Sequence, residues 1–281
     1  GVWGREGVGR VVAPHGAPAA SPAAADAMSA LARLGHAAIG TLLSALLLEQ
    51  KILLVSGFPS RLTAAAEALR ALAFPLAWER VYAPLVPPTH LAVAGAPFPY
   101  ILGVPAASLQ LLGRAEPMEG EVWVLLDSAR VLGGALAPLP PREAAPLRKA
   151  LQSGGRAAVH AAALPRAAAA CVTSLLRELL PAIAAVDAAM EEEEEGEGGG
   201  GDDDGSSPLD RRAAALIERF ANAQPPASAA FATRLVDTGA FHTLATRLAA
   251  AERVWPGELR AWAEAARARE AGLLDFLGLK N

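Results

Sequence analysis

The stretch that decides the fold is residues 46–104, which read LLLEQKILLVSGFPSRLTAAAEALRALAFPLAWERVYAPLVPPTHLAVAGAPFPYILGV. The run KILLVS at 51–56 is short, apolar and followed by a turn sequence, so it predicts a buried strand. Residues 61–73 carry leucine and alanine at helical spacing before a proline, which predicts a helix with Ser60 as its N-cap. A buried strand that leads directly into a helix is typical of an α/β layer arrangement.

Further elements extend this pattern on both sides. Apolar residues recur at helical spacing through residues 28–48, which predicts one long buried helix before the first strand. Two more strands are predicted at 101–104 and 122–126, with a shorter one at 81–82. We therefore predict that residues 28–142 form an α/β domain with a central sheet flanked by helices.

The remainder of the chain has a different character. After Gly133 and Gly134 the strand signals stop, and residues 143–281 read as helices broken by proline and glycine, so we predict an all-helical subdomain there. Residues 191–207 are acidic and glycine-rich with no large apolar side chain, which predicts a disordered loop. Residues 1–27 lack sustained periodicity and are interpreted as a flexible lead-in.

Charge and composition exclude several classes of protein. Nine acidic residues lie at 191–204, and the rest of the chain, with 25 basic and 20 acidic residues, has a net charge of +5. That balance is too mild to argue for nucleic acid as a partner, because nucleic-acid binding usually leaves a concentrated basic surface. The single cysteine, Cys171, excludes an intrachain disulfide and fits a reducing compartment. No secretory signal and no membrane-spanning run are recognised, so we expect a cytoplasmic protein. Because the first residue is Gly1 and not methionine, we expect the chain to be part of a longer polypeptide.

The sequence does not carry the patterns of common catalytic sites. A Walker-type phosphate loop needs glycine directly before lysine, and no lysine of this chain has that neighbour. Ser56 precedes Gly57 as in a nucleophile elbow, but Leu54 stands where the first glycine of that motif belongs. The five histidines are isolated, and Cys171 lies in an alanine-rich predicted helix where we interpret it as buried and inert. We therefore expect no metal site, no cofactor and no covalent chemistry.

Residues 46–104 resemble the central segment of the DENN domain family. The residues that carry the resemblance are Leu46, Leu47, Leu48 and Glu49, then Ser60, Leu62, Thr63, Glu67 and Leu69, then Phe74, Pro75, Trp78, Tyr82, Pro84, Leu85 and Pro87, and finally Ala96, Pro97, Pro99, Tyr100, Gly103 and Val104. Residues 122–131 resemble the next strand and turn of the family, with Asp127 retained and Leu125 where an additional aspartate is common.

A weaker resemblance continues in the helical half. Its residues are Phe231, Leu235, Thr238, Phe241 and Leu244, which are similar to the downstream DENN segment. Gly239 replaces the glutamine that frequently follows the threonine in that family. The resemblance covers roughly residues 28–250, and the family's upstream, longin-like lobe is expected to precede Gly1.

This resemblance implies guanine nucleotide exchange on Rab-family small GTPases, without a cofactor. An exchange factor binds the switch segments of the GTPase in an arrangement that is incompatible with tight GDP binding, so it acts by differential binding. The GTPase supplies the magnesium and phosphate chemistry. The resemblance also implies a peripheral location on vesicle membranes, with recruitment to the membrane only indirect.

The predicted partner-binding residues lie on three proline-rich loops, at 56–61, 84–90 and 94–100, because loops on a rigid scaffold are where binding residues concentrate. They are Ser56, Arg61, Pro87, Pro88, His90, Pro97 and Pro99. Two alternatives stay open at this point. One is a DENN-type scaffold, or a subunit of a GTPase-activating complex, without exchange activity. The other is an unrelated helical interaction protein that has a similar proline pattern.

Overall fold

The computed structural model describes residues 28–152, 157–195 and 207–250. It shows an α/β unit with a five-stranded mixed sheet flanked by helices, followed by a helical part, as the sequence predicts. The first predicted helix is not continuous. Residues 28–32 are helical, but the chain turns at Arg33 and Leu34, and helix α1 spans Gly35–Leu47. Gly35 has a φ of 78°, a left-handed conformation that glycine adopts readily, and this backbone interrupts the helical pattern.

The sheet has the strand order β2-β3-β1-β4-β5. Its strands are β1 (Lys51–Ser56), β2 (Val81–Ala83), β3 (Tyr100–Pro105), β4 (Glu121–Leu125) and β5 (Arg130–Gly133). β1 lies between β3 and β4 and is parallel to both, β2 is parallel to β3, and β5 pairs antiparallel with β4. The parallel pairs place the carboxyl ends of the first four strands at one edge of the sheet.

Both faces of the sheet are covered, which explains why its central strands are almost continuously apolar. Ile52 and Leu54 of β1 point to the face packed by α1 and by helix α2 (Pro59–Leu72). Leu53 and Val55 point to the other face. Two 3-10 helices, Pro88–Gly95 and Ala106–Leu112, contribute the residues that cover this second face, among them Leu91, Ala94, Leu109 and Leu112.

Two local predictions in this unit are wrong. Ser60 does not cap α2, because the helix begins at Pro59 and its N-cap is Phe58, whose backbone N–H donates to the Ser56 hydroxyl at 3.1 Å. Strand β5 was not recognised, because its four residues are exposed or half-buried and have no apolar run to mark them. β5 is a strand because Val131 and Leu132 pair with Val124 and Trp123 of β4.

The helical part packs on the first face of the sheet and shares its core. Its helices are α3 (Ala145–Gln152), α4 (Ala157–Leu175), α5 (Leu179–Glu195), α6 (Pro208–Asn222), α7 (Pro226–Val236) and α8 (Gly239–Ala250). Phe220 and Phe241 are fully buried, stack with ring centroids 4.8 Å apart and belong to the same core as Ile52. Cys171 is also buried there, as the sequence predicts, and burial raises the pKa of its thiol to about 12.

The prediction of a disordered segment at 191–207 needs a correction at both ends. Helix α5 continues through residues 191–195, and Ser207 is the N-cap of α6, where its hydroxyl accepts the Asp210 N–H at 3.1 Å. Glutamate is a good helix former, so a glutamate run can prolong a helix that has already begun. Residues 196–206, like the predicted lead-in at 1–27, lie outside the described residues.

Candidate partner-binding site

The carboxyl ends of β1 and β4 meet at a set of polar groups around Asp127. These strands are parallel neighbours, so the residues that follow them emerge at the same edge of the sheet. The Asp127 carboxylate accepts hydrogen bonds from the Ser56 hydroxyl at 2.8 Å and from the Gly57 N–H at 2.7 Å. The guanidinium of Arg61, on the first turn of α2, completes the set with an Nη1–Oδ1 distance of 2.7 Å. We call Ser56, Gly57, Arg61 and Asp127 the Asp127 cluster.

The electrostatics of the cluster favour a charged Asp127. Burial raises the pKa of its carboxyl, but the hydrogen bonds from Gly57, Ser56 and Arg61 together lower it by more, so the pKa lies below the usual value of 3.8. The carboxylate is therefore ionised at physiological pH. The Asp127 carboxylate joins the turn after β4 to the loop after β1. These bonds fix the direction in which the loop after β1 leaves the sheet.

The residue displayed by this arrangement is Phe58. The residue is 58% exposed, although only Gly57 separates it from the buried end of β1. Its backbone is held from both sides, because its N–H donates to Ser56 and its carbonyl accepts from the N–H groups of Arg61 and Leu62. The Arg61 guanidinium also lies over the Phe58 ring, 4.8 Å from its centroid. A rigidly held, exposed aromatic ring can anchor a protein partner with little loss of side-chain entropy.

The loop after β2 lies at the same edge of the sheet. The Val86 N–H donates to the Gly103 carbonyl at 2.7 Å, which fastens this loop to β3. Pro87, Pro88 and His90 follow and are all exposed. The structure thus brings these three predicted residues and Arg61 to the carboxyl edge of the sheet, with the helix that carries Arg61 on one face and the 3-10 helix Pro88–Gly95 on the other.

Two predicted residues lie elsewhere, and one is inaccessible. Pro97 and Pro99 precede β3, so they lie at the amino edge of the sheet, opposite the edge that carries the Asp127 cluster. Ser56 has no exposed surface, so it holds the loop in place and does not offer a direct contact.

Sequence reasoning did not single out the exposed Phe58 or the contacts of Asp127. Phe58 had a signal, since a large aromatic residue between Gly57 and Pro59 cannot continue the buried strand. No local sequence pattern marks Asp127 as a partner of Arg61. The two residues are 66 positions apart, and their contact depends on β4 pairing with β1.

A second polar network lies at the amino edge, on the face covered by the 3-10 helices. Glu121 at the start of β4 is buried, accepts the Tyr100 hydroxyl at 2.6 Å and forms an ion pair with Arg114. Arg114 donates to the Ala94 carbonyl, whose oxygen lies 2.9 Å from the Tyr100 hydroxyl oxygen, and Arg114 also lies over the Trp123 ring. The Glu121 carboxylate, the Tyr100 hydroxyl and the Arg114 guanidinium all bond within the protein, so the network fastens the two 3-10 helices to the sheet.

The described residues do not form a site for a sizeable small molecule. The two best-formed cavities among them hold about one water molecule each. Within the same residues, no group of three or more histidine, cysteine, aspartate or glutamate side chains is arranged to hold a metal ion. None of the described helices combines the length and the apolar character that crossing a bilayer requires.

The fold defines an α/β protein. The groups exposed at the carboxyl edge of its sheet, Phe58 among them, suit contact with a macromolecular partner. Comparison with known proteins shows a family similarity over part of the chain. Residues 13–129 match the family model of the DENN (AEX-3) domain, which confirms the resemblance predicted from the sequence over this part of the chain. Residues 13–27 of the match lie outside the described residues.

Curated relatives agree with the family match. The chain is 34% identical over 89 residues to DENN domain-containing protein 2A of Homo sapiens, which covers 32% of this chain and 9% of that protein. It is 40% identical over 87 residues to DENN domain-containing protein 1C of Mus musculus, which covers 31% of this chain and 11% of that protein. The match therefore spans about a tenth of the length of these relatives.

Proposed function

We propose that this chain is part of a guanine nucleotide exchange factor for Rab-family small GTPases. The observation that carries the proposal is that the DENN match includes the whole Asp127 cluster and Phe58, which lie at an exposed and rigidly held edge of the sheet. In this proposal, residues 28–142 correspond to the central DENN segment and the helices after residue 143 to the downstream segment.

The proposed mechanism is differential binding to the states of the GTPase. The GTPase holds GDP through its own phosphate loop, magnesium ion and switch segments. A partner that binds the switches in a conformation unfavourable for GDP stabilises the nucleotide-free state, and GTP then completes the exchange. Phe58 and Arg61 offer the kind of contact that this requires, an aromatic anchor beside a cation whose positions do not depend on the partner.

The experiment is GDP release from a panel of Rab proteins loaded with a fluorescent GDP analogue. It should be run with this chain and with a longer protein that also contains an upstream lobe. We expect the longer protein to accelerate release from one or a few Rab proteins and the chain alone to be weak or inactive, because part of the GTPase-binding surface would be missing.

One result would favour the alternative of a scaffold, or of a subunit in a GTPase-activating complex. In that case a Rab would bind with the same affinity in its GDP, GTP and nucleotide-free forms, while the longer protein would accelerate GDP release from no Rab tested. Equal affinity for all forms cannot drive exchange, since a ligand shifts an equilibrium only by its differential affinity for the states.

A further inference from the structure

Strand β5 leaves one side of the sheet open. It is the outermost strand there, and among the described residues only β4 pairs with it. The opposite side is less open, because β2 has three residues and the Val81 carbonyl already accepts the Trp78 indole N–H at 3.2 Å. Unpaired backbone groups on an outer strand are a template for a further strand, so β5 is a place where another chain can bind.

The pairing of β4 shows which backbone groups of β5 are free. The Leu126 N–H donates to the Val55 carbonyl, so the even-numbered residues of β4 direct their backbone groups toward β1. Backbone groups alternate in direction along a strand, so the odd-numbered residues of β4 bond to Arg130 and Leu132 of β5. The N–H and C=O of Val131 therefore point away from the sheet, and no described residue bonds to them.

The side chains of β5 leave the same edge unprotected. Val131 packs against the core on the first face of the sheet and Leu132 against the core on the second face, and both residues are only half-buried. Proteins often prevent pairing at an outer strand with a proline or a charge in its centre. β5 contains no proline, and its one charged residue, Arg130, stands at its first position. A further strand could therefore cover both apolar side chains.

We propose that β5 pairs antiparallel with β5 of a second copy of this chain. The outward N–H and C=O of Val131 are self-complementary, because in an antiparallel pair centred on this residue each copy donates to the other. Arg130 then lies opposite Leu132 of the second copy, so no like charges meet. The two Asp127 clusters come to lie at opposite ends of the joined sheet. The pairing does not depend on the proposed exchange activity.

The test is analytical ultracentrifugation of the chain from about 1 µM to about 200 µM. Four residues from each copy bury less than the roughly 1,200 Å² of a stable interface, so we expect the mass to rise with concentration from one chain toward two. Val131→Pro should weaken dimerisation at least about tenfold, because proline removes the outward N–H and leaves the bonds to β4. Val131→Thr is the matched control, since it keeps the N–H and the β-branched shape, and it should dimerise as the unaltered chain does.

A charge exchange tests the register without a proline. Val131→Lys and Val131→Glu should each stay monomeric when alone, because like charges directly opposite each other are destabilising, whereas an equimolar mixture of the two should dimerise. This mixture decides the question if circular dichroism shows that Val131→Pro is unfolded. A chain that is monomeric at every concentration, a folded Val131→Pro that dimerises as the unaltered chain does, or a mixture of charge variants that stays monomeric would overturn the proposal.

Discussion

The carboxylate of Glu49 accepts a hydrogen bond from the Gly239 N–H at 2.9 Å, across 190 positions of sequence. Its other oxygen accepts the Ala240 N–H at 3.0 Å, so Glu49 occupies the N-terminus of α8, where the helix dipole favours a negative charge. Arg80 completes the site with an Nε–Oε2 distance of 2.8 Å. Glu49 thus joins the end of α1 to the last described helix and fastens the helical part to the α/β unit.

Replacing this carboxylate should destabilise the whole protein. Glu49 has a side chain that is only 5% exposed, and Glu49→Gln would remove its charge while leaving Arg80 and two backbone donors incompletely paired. We expect the free energy of unfolding in urea to fall by about 2–3 kcal/mol. Glu79→Gln is the control, because Glu79 is 43% exposed and surface ion pairs contribute about 1 kcal/mol or less. Equal losses in the two variants would contradict this account.

Gly239 and Arg80 should be energetically coupled. A Cβ at position 239 would lie 2.5 Å from Nη2 of Arg80, so a side chain at this position and the Arg80 guanidinium compete for the same space. We expect Gly239→Ala to displace Arg80 from Glu49 and to cost about 1–2 kcal/mol. In an Arg80→Ala background the same substitution should cost much less, because the obstructing guanidinium is gone. Urea unfolding of the four proteins gives the coupling, and additive effects would refute the predicted link.

The Glu121 network predicts how stability responds to acid. Burial raises the pKa of Glu121, but hydrogen bonds from Arg114, Tyr100 and Met118 lower it by more, so its folded-state pKa lies below the usual 4.5. Its contribution to stability is present above pH 4.5 and is lost as the pH falls through the folded-state pKa. The destabilisation caused by Glu121→Gln should therefore be largest near neutral pH and shrink in acid. Urea unfolding across this range tests it, and a difference that grows in acid would reverse the predicted sign.

The proposed interface makes a matched comparison of two exposed aromatic residues possible. Phe58 lies at the carboxyl edge and Phe98 precedes β3 at the amino edge, with exposures of 58% and 44%. If the GTPase binds at the Asp127 cluster, Phe58→Ala should weaken the affinity for nucleotide-free Rab by about 30-fold, as at an interface hot spot, while Phe98→Ala changes it by less than about threefold. Titration calorimetry measures both affinities.

Stability measurements make this comparison decisive. Neither ring is buried, so the thermal midpoints of Phe58→Ala and Phe98→Ala should stay close to that of the unaltered protein. A binding loss shared by both variants, or one accompanied by a large fall in the melting midpoint of Phe58→Ala, would argue against a specific anchor at the carboxyl edge.

Local sequence by itself determined the strands and helices that have a clear apolar pattern. KILLVS at 51–56 is a strand because its apolar run is too short for a helix and ends at a turn, and the helical spacing of leucines after it fixes α2. The same run, with the prolines that follow it, also carries the resemblance to the DENN family. These features depend on neighbouring residues, so they can be read without knowing which strands pair.

Tertiary structure alone decided the polar contacts and the weakest strand. β5 exists because β4 offers it a partner, and Asp127 reaches Gly57 and Arg61 because β4 lies beside β1. Glu49 reaches the N-terminus of α8 only when the helical part has packed on the sheet. A hydrogen bond needs its two groups within about 3 Å in the right direction, and for residues far apart in sequence that condition is set by strand order and helix packing, which no local pattern contains.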